Sequence, residues 1–256
     1  MANRGKLKER LKAGETVVGP FCIVPSMPMV EALGHAGMDF LIIDSEHGPI
    51  GMESAQDMCI AADSGGVAPI VRVGENDERL ILRALDIGSH GVQIPQINTI
   101  DDAKHAVHGA KYAPMGERGL SIFTRAGDYF AADGKGHTDR QNAETTVVVH
   151  IEGKRGLDNL DQIMTVPGID VYFLGPYDIS QSLGIPGQVT HEKVATALKT
   201  AAAKARAAGK AVGSYAKDVE MGRWLLSIGV QYLSINVDAV IYMQACRSIV
   251  RDLRKK

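Results

Sequence analysis

Hydrophobic and polar positions divide the chain into short apolar runs that alternate with longer segments of helical spacing. A short, nearly continuous apolar run is typical of a parallel strand that is buried on both faces. We predict eight such strands, over residues 17–24, 40–43, 67–73, 91–94, 147–151, 171–174, 211–215 and 231–235. After an opening helix, we predict helices over residues 28–36, 52–64, 77–87, 100–109, 154–164, 193–208, 219–228 and 238–253.

Eight alternating strand–helix units predict an α/β protein whose strands close into a (β/α)8 TIM barrel. No linker or low-complexity tract divides the chain, so residues 1–256 are predicted to form a single domain. A doubly wound open sheet is the alternative, but the even spacing and the absence of a GxGxxG turn disfavour it. Residues 111–144 form a longer, polar and Gly-rich connection, which we predict to be a functional loop over a site.

The composition and the net charge limit which partners the protein is expected to bind and in which compartment it is expected to occur. A formal net charge of −2 shows no basic surface for nucleic acid or for an anionic membrane. The charged N-terminal segment lacks the apolar core of a signal peptide, and no apolar run reaches the length of a membrane span. Three widely separated cysteines are typical of reduced thiols, so we expect a cytoplasmic protein; they are Cys22, Cys59 and Cys246.

Reactive side chains concentrate where predicted strands end, which is where barrel enzymes place their active sites. They are Asp44, Glu46, His47, Arg72, Gln93, Glu152 and Asp178. Any one of them has an ordinary explanation as a cap or turn residue, but their occurrence on one rim favours a shared site. Glu152 and Asp178 follow neighbouring parallel strands, and two hard oxygen ligands there can hold a divalent ion such as Mg²⁺ or Mn²⁺.

Five segments together resemble the HpcH/HpaI family of metal-dependent class II pyruvate aldolases. They read FLIIDSEHGPI, VRVGENDERLILRALDIG, YAPMGERG, HIEGKRGLDNL and FLGPYDISQSLGIPG, and the resemblance runs from about residue 19 to residue 238. It implies a (β/α)8 barrel that usually assembles as a hexamer, a trimer of dimers, and exchanges its last helix between partners. It also implies a lyase that makes or breaks a carbon–carbon bond next to a pyruvate enolate.

The resemblance assigns a role to each matching residue. Glu152 and Asp178 are expected to ligate a divalent cation, which is Mg²⁺, Mn²⁺ or Co²⁺. Arg72 is expected to stabilise the enolate oxygen and to bind substrate. His47, oriented by Asp44, is expected to transfer the proton.

Further positions match the family pattern in supporting roles. Glu46 is expected to hold a metal-bound water. The backbone of Gly175-Pro176-Tyr177-Asp178, which enters a short helix, is expected to present N–H groups to the substrate carboxylate. Asp86 matches a family acid, and a role as a helix cap or at an interface is equally open.

The chain departs from the family pattern at two places. Family members commonly carry Gln two residues before the metal-binding Glu, where this chain has His150. His150 is open to three roles: a third ligand, a second base, or a space-filling hydrogen-bonding residue. Arg125, in the tract SIFTRAGDYF, is either a contact for a carboxylated acceptor or a solvated loop residue.

Three functions are compatible with these residues. The first is reversible, metal-dependent aldol cleavage of 4-hydroxy-2-oxo acids to pyruvate and an aldehyde, as in aromatic or sugar acid catabolism. No Schiff-base lysine and no nucleotide cofactor are expected, since no predicted strand ends in Lys and the nearest, Lys217, lies in a polar loop. The alternative is a citrate synthase-like Claisen condensation of oxaloacetate with acetyl-CoA. The third is non-enzymatic binding of a 2-oxo acid, which the complete set of site residues disfavours.

Overall fold

The computed structural model describes residues 5–254, and its strands form a closed parallel barrel. Each strand pairs with its neighbours in sequence, and β1 pairs with β8 to complete the ring. This confirms the predicted TIM-barrel fold, with strand boundaries shifted by at most two residues. The strands are β1 (Val17–Cys22), β2 (Phe40–Asp44), β3 (Ala68–Arg72), β4 (Gly91–Ile94), β5 (Thr146–Ile151), β6 (Val171–Leu174), β7 (Ala211–Ala216) and β8 (Tyr232–Val237).

Helices surround the ring and connect successive strands. They are α1 (Lys6–Lys12), α2 (Met27–His35), α3 (Met52–Gly65), α4 (Glu78–Asp86), α5 (Ile100–Ala110), α6 (Gly134–Glu144), α7 (Lys154–Asp158), α8 (Leu160–Ile163), α9 (Pro176–Ser182), α10 (Glu192–Ala207), α11 (Val219–Ser227) and α12 (Asp238–Arg254). The helix predicted over residues 154–164 is divided at Asn159, whose side chain donates a hydrogen bond to the carbonyl of Asn98. Helices of sufficient length and apolarity to cross a membrane do not occur within residues 5–254.

The two faces of each strand belong to two different apolar clusters. In β2, Phe40 and Ile42 pack in a cluster inside the barrel, while Leu41 and Ile43 pack against the surrounding helices. Side chains alternate between faces with a period of two. Asp44 therefore continues the inward face of β2, and Arg72 continues that of β3 in the same way.

The floor of the barrel is apolar. Leu7 and Leu11 of α1 are buried in the inner cluster together with Val17 and Tyr232, so α1 closes the N-terminal end of the ring. The inward polar side chains lie at the opposite, C-terminal end. Charges held above a dry, apolar floor interact more strongly than they would in water.

Residues 111–144 do not form the predicted loop over the site. They join the end of α5 to the start of β5, and both of these lie at the N-terminal end of the barrel, opposite the strand ends where the site lies. The tract contains a 3₁₀ turn at Arg125–Gly127 and helix α6. Gln141 of α6 donates a hydrogen bond to the carbonyl of Ala126, which packs the tract on itself. The prediction was wrong because the length of a connection does not indicate at which end of the barrel it lies.

A buried lysine fastens this tract to the barrel. Lys111 is fully buried, and its Nζ donates to the carbonyls of Asn142, at 2.9 Å, and Thr145, at 2.8 Å. Burial, followed by the positive charge of Lys8, lowers the pKa of Lys111 from its ordinary value to about 7. The folded protein therefore holds this amine neutral at alkaline pH.

The depressed pKa of Lys111 predicts a pH-dependent stability. Between pH 7 and about 10.5 the unfolded chain binds a proton at Lys111 that the folded protein does not, so folding becomes more favourable as pH rises. Each pH unit in this window contributes up to about 1.4 kcal/mol. In urea unfolding at pH 7, 8 and 9, we expect the stability advantage of wild type over Lys111→Met to grow with pH. Exposed Lys104→Met is the control, and a constant difference for Lys111→Met would contradict the argument.

Helix α12 extends away from its own barrel. Of its residues Asp238 alone is buried, and large apolar side chains are exposed along it, namely Tyr242, Ile249, Val250 and Leu253. The Asp238 carboxylate accepts hydrogen bonds from the backbone amides of Ile23 and Val24, both at 3.1 Å. The start of α12 is thus fixed to the segment that follows β1, while the remaining turns present an apolar stripe to solvent.

Candidate active site

A cavity of about 410 Å³ opens at the C-terminal end of the barrel. Nine of the residues predicted from the strand ends and the family pattern line it, namely Asp44, His47, Arg72, His150, Glu152, Gly175, Pro176, Tyr177 and Asp178. Their strands are neighbours or near neighbours in the ring, so the barrel brings together residues that lie up to 134 positions apart in sequence (178 − 44 = 134).

Arg72 is a fixed cation in this cavity. Its Nε and Nη2 donate to the two carboxylate oxygens of Asp44, at 2.9 and 2.5 Å, and its Nη1 lies 2.9 Å from Glu46 Oε2. The guanidinium also lies over the ring of Phe21, 4.7 Å from its centroid. A guanidinium held on two sides and one face keeps its position when charge develops nearby.

The two carboxylates around Arg72 differ in their electrostatics. Burial raises the pKa of Asp44, but the hydrogen bonds from Arg72 and from the amides of His47 and Glu46 outweigh it, so this pKa lies below its ordinary value. Burial raises the pKa of Glu46, and Arg72 offsets only part of that effect. Asp44 is therefore the more acidic carboxyl group of the pair.

In the structure, the Asp44 carboxylate does not make the expected contact with the ring of His47. Asp44 Oδ1 instead accepts the backbone amide of His47 at 3.2 Å, while both carboxylate oxygens bind Arg72. The His47 ring is exposed and has no hydrogen-bond partner among residues 5–254. Asp44 thus orients the His47 backbone, and the imidazole faces the cavity mouth with both ring nitrogens open.

Glu152 and Asp178 face the same space beside Gly175. A Cβ placed on Gly175 would lie 3.3 Å from Glu152 Oε2 and 3.8 Å from Asp178 Oδ2, so the missing side chain leaves room between the carboxylates. Partial burial and the charge of Glu152 both raise the pKa of Asp178 above its ordinary value. Burial also raises the pKa of Glu152, but the neighbouring His150 and the Gln96 amide outweigh it and lower the pKa overall.

This pair of carboxylates fits a divalent cation. A cation between two carboxylates relieves their mutual repulsion. Mg²⁺ in particular is often held by one or two carboxylates while it keeps several waters. Among residues 5–254 no group of three His, Cys, Asp or Glu side chains is arranged to hold a metal. The donor set therefore suits an open site rather than a closed structural one.

His150 belongs to a buried chain of hydrogen bonds. Its Nδ1 lies 2.8 Å from Glu152 Oε2, and its Nε2 lies 2.6 Å from the Gln93 amide nitrogen. Tyr232 Oη donates to Gln93 Oε1 at 3.3 Å. Because the Gln93 amide donates to Nε2, the proton of a neutral His150 is on Nδ1 and points at Glu152. The His150 ring also stacks on Phe173, with centroids 4.5 Å apart.

Comparisons with known proteins agree with this geometry. The family model for HpcH/HpaI aldolase/citrate lyase matches residues 19–245. A 2-keto-3-deoxy-L-rhamnonate aldolase from Escherichia coli O6:K15:H31 (strain 536) is 34% identical over 239 residues, which are 93% of this chain and 89% of that protein. This chain belongs to the HpcH/HpaI aldolase/citrate lyase family.

Solved structures of related proteins share the whole fold. An HpcH/HpaI aldolase/citrate lyase family protein from Burkholderia cenocepacia J2315 superposes with a TM-score of 0.93 at 32% identity, over 98% of this chain and 100% of that chain. The citrate synthase SbnG superposes with a TM-score of 0.85 at 30% identity, over 97% of each chain. The HpcH/HpaI fold therefore occurs in proteins named for different reactions.

Three of the residues singled out from the sequence have other surroundings. Arg125 does not line the cavity of this chain, and its Nη2 pairs with Asp63 Oδ2 at 2.5 Å. Asp86 lies at the end of α4 and pairs with Arg118 at 2.6 Å. Lys217 is exposed beyond β7 and does not line the cavity.

The segment that enters α9 also differs in detail from the expectation. Pro176 has no amide hydrogen, so it cannot donate to a substrate carboxylate. The amides of Tyr177 and Asp178 lie in the first helical turn, where backbone N–H groups have no acceptor within the helix. Of this segment, the amides of Tyr177 and Asp178 are therefore the ones available for the predicted anion-binding role.

Sequence reasoning did not single out three apolar or aromatic residues of the cavity. Phe21, Tyr215 and Val237 line it together with the polar residues. Each occurs at the end of an apolar strand, where an aromatic or aliphatic side chain has the same pattern as any core residue. The motif Gly213-Ser214-Tyr215 did contain a signal, because a glycine within a strand often marks a close approach of another group. In the structure, the Phe173 ring lies 2.8 Å from the position that a Cβ on Gly213 would occupy.

Proposed function

We propose that this protein is a metal-dependent aldolase that reversibly cleaves 4-hydroxy-2-oxo acids to pyruvate and an aldehyde. The observation that carries the proposal is a pair of carboxylates, Glu152 and Asp178, around an open space beside the fixed guanidinium of Arg72. Family membership supports the reaction type, and the E. coli relative is named as an aldolase of a 2-keto-3-deoxy acid.

Glu152 and Asp178 would hold the divalent cation, for which Mg²⁺, Mn²⁺ and Co²⁺ all suit two carboxylates. A bound divalent cation supplies a Lewis acid that polarises a ketone and makes the adjacent carbon more acidic. Arg72 supplies a second positive charge whose position is already fixed by Asp44 and Glu46. Such preorganised charge stabilises an enolate oxygen without reorganisation during the reaction.

The 4-hydroxy-2-oxo acid is oriented by its carboxylate, and its cleavage begins with removal of the proton of the C4 hydroxyl. The amides of Tyr177 and Asp178 are donors for that carboxylate at the mouth of the cavity. His47, whose ring is open at the same mouth, takes the proton from the C4 hydroxyl during cleavage. The electrons of the C3–C4 bond then pass to C3, the aldehyde leaves, and protonation of C3 completes pyruvate, so that the reaction involves no net oxidation or reduction.

His150 acts through Glu152 in this scheme. Replacing His150 with Ala removes the hydrogen bond at Glu152 Oε2 and is expected to weaken Mn²⁺ binding about tenfold, as for other partners of metal ligands. Asn retains an N–H near the position of Nδ1, so His150→Asn should restore most of the affinity. Titration of Mn²⁺ followed by electron paramagnetic resonance measures this directly. Equal Mn²⁺ affinity in wild type and His150→Ala would show that His150 only fills space.

We further propose that α12 packs on a second copy of this chain, within a homohexamer built as a trimer of dimers. The exposed apolar stripe of α12 supports an exchanged helix, because Asp238, in its first turn, is the one residue of the helix that is buried in this chain. Substituting Ile249 and Leu253 with Glu should reduce the assembly to smaller species in light scattering after size exclusion. Gln244→Glu is the control, and an unchanged mass for the double variant would contradict the exchange.

A Claisen condensation remains the alternative chemistry, since the citrate synthase SbnG shares this fold. His150 and Arg125 would suit the additional carboxylates of that reaction, but both ring nitrogens of His150 already lie within hydrogen-bond distance of Gln93 and Glu152. Arg125 is instead paired with Asp63 at the other end of the barrel, and this observation favours the aldol reaction. Release of free CoA from acetyl-CoA and oxaloacetate would reverse the preference.

The proposal has a direct chemical test. Removal of metal with a chelator should abolish cleavage of a 4-hydroxy-2-oxo acid, and Mg²⁺ or Mn²⁺ should restore it. Borohydride added with pyruvate should trap no covalent adduct, since no lysine among residues 5–254 lines the cavity. Full activity after metal removal, or a trapped adduct, would refute the metal-dependent mechanism.

We expect this reaction to occur in the cytoplasm; the three cysteines form no disulfide within residues 5–254.

A further inference from the structure

A line of hydrogen bonds crosses the interior of the barrel below the cavity. Tyr232 Oη, on β8, donates to Gln93 Oε1, on β4, at 3.3 Å, and these two strands lie opposite each other in the closed ring. Gln93 Nε2 lies 2.6 Å from His150 Nε2, and His150 Nδ1 lies 2.8 Å from Glu152 Oε2. We call Tyr232, Gln93, His150 and Glu152 the interior chain. It connects a hydroxyl of the core to a carboxylate of the proposed cation site.

Three members of the interior chain are sealed from solvent. Tyr232 and Gln93 are 0% exposed, and His150 is 2% exposed. Water therefore does not replace a partner that is removed, and a buried polar group without a partner is costly. Each member thus depends on its neighbour in the chain.

The hydrogen bonds of the interior chain run in one direction. Burial raises the pKa of Tyr232 well above its ordinary value, so the hydroxyl keeps its hydrogen and donates it to Gln93 Oε1. The Gln93 amide then directs its N–H group at His150, and the ring directs its Nδ1–H at Glu152, which only accepts. Hydrogen bonds that run in the same sense polarise one another, so the last bond is stronger than it would be alone.

Aromatic packing fixes both ends of this chain. The Tyr232 ring stacks on Phe40, with centroids 4.0 Å apart, and meets Phe173 edge-on at 6.2 Å. His150 stacks on the same Phe173 ring. A Cβ placed on Gly213 would lie 3.0 Å from Tyr232 Cδ1 and 2.8 Å from Phe173 Cδ2, so this glycine leaves room for both rings. The hydroxyl and the imidazole are therefore held by one packed set of rings.

We infer that Tyr232 and Gln93 are positioning residues for Glu152, because they act through His150 to hold its carboxylate in the orientation that binds the divalent cation. The inference rests on the proposed function, which places the cation at Glu152. Tyr232 and Gln93 do not line the cavity, so they do not act on the substrate directly. Glu152 Oε1 accepts the Gln96 amide at 2.8 Å, and the interior chain holds the other oxygen, Oε2.

The first test measures Mn²⁺ affinity by electron paramagnetic resonance. Tyr232→Phe keeps the ring and removes the hydroxyl, so Gln93 Oε1 loses its donor and the amide is free to turn away from His150. We expect the affinity to fall about fivefold, which is less than for a residue that contacts a metal ligand directly. Tyr172→Phe is the matched control and should bind Mn²⁺ as wild type does. Tyr172 is equally buried, and its hydroxyl has no hydrogen-bond partner among residues 5–254.

A double-mutant cycle shows whether the effect passes through His150. In the His150→Ala background the interior chain is already broken, so Tyr232→Phe should cause no further loss of Mn²⁺ affinity. A fivefold loss in both backgrounds would mean that Tyr232 acts by another route, and it would overturn the inference.

The His150 ring provides a readout that a general loosening of the core would not produce. The sample is Mg²⁺-loaded protein labelled with ¹⁵N-histidine, and the Nε2 resonance of His150 is assigned by its absence in His150→Asn. This resonance should shift in Tyr232→Phe, where the hydrogen bond from Gln93 is released, and should stay in place in Tyr172→Phe. An unshifted resonance in Tyr232→Phe would contradict the link between Tyr232 and His150.

Glu152→Gln separates failure of this inference from failure of the proposed function. If Glu152→Gln weakens Mn²⁺ binding and Tyr232→Phe does not, the cation site stands and the positioning role is overturned. If Glu152→Gln binds Mn²⁺ as wild type does, the assignment of the cation to Glu152 fails, and the positioning role fails with it.

Discussion

Replacing Glu152 with Gln is expected to lower metal-dependent pyruvate enolisation by on the order of 10³-fold. The substitution preserves shape but removes one of the two anionic oxygens that face the space beside Gly175. With a single carboxylate left, Asp178 alone cannot hold the cation tightly. The loss should therefore appear both in Mn²⁺ affinity, measured by electron paramagnetic resonance, and in the exchange of pyruvate methyl protons.

A second acid serves as the control for Glu152. Asp158 lies in the exposed helix α7, where it pairs with Lys154, and Asp158→Asn should leave both readouts unchanged. If Glu152→Gln retained wild-type Mn²⁺ affinity, the assignment of the cation site to this pair of carboxylates would be wrong.

Arg72→Lys is expected to reduce enolisation by about 10²- to 10³-fold while Mn²⁺ affinity changes less than about threefold. Lysine keeps the charge but lacks the planar fork that binds both oxygens of Asp44 and also reaches Glu46. Its ammonium group would be drawn to one carboxylate and displaced from the cavity. The contrast between an unchanged metal affinity and a reduced rate distinguishes this variant from Glu152→Gln.

An exposed arginine provides the comparison for Arg72. Arg79 lies on the surface of α4, and Arg79→Lys should behave as wild type in both assays. Wild-type exchange in Arg72→Lys would mean that a diffuse positive charge is sufficient and that the fixed geometry has no catalytic importance.

Much of the site follows from local pattern and from the closure of the barrel. The period of two along β2, β3 and β5 places Asp44, Arg72 and Glu152 on the inward face, beyond apolar residues of the same face. Parallel strands in a ring then bring their ends together. These residues could be predicted from sequence because each step depends on the strand itself and its neighbours.

Other features depend on contacts between distant parts of the chain. The orientation of the His150 ring is set by Gln93, which is 57 positions away. The orientation of Gln93 is set in turn by Tyr232, which is 139 positions away. No local sequence pattern indicates these partners, so the sequence alone leaves three roles open for His150. The ion pair of Arg125 could not be predicted for the same reason, since its partner Asp63 is 62 positions away. The apolar stripe of α12 matches that of a packed helix, so sequence alone did not show that it leaves the barrel.

The most direct test of this account is the exchange of pyruvate methyl protons in D₂O, followed by proton NMR on metal-free protein and after addition of Mg²⁺. Exchange requires only enolisation and needs no knowledge of the aldehyde. We predict no exchange above background without metal, rapid exchange with Mg²⁺, and loss of that exchange in Glu152→Gln. Exchange that is independent of metal, or no exchange when Mn²⁺ is shown to be bound, would contradict the proposed function.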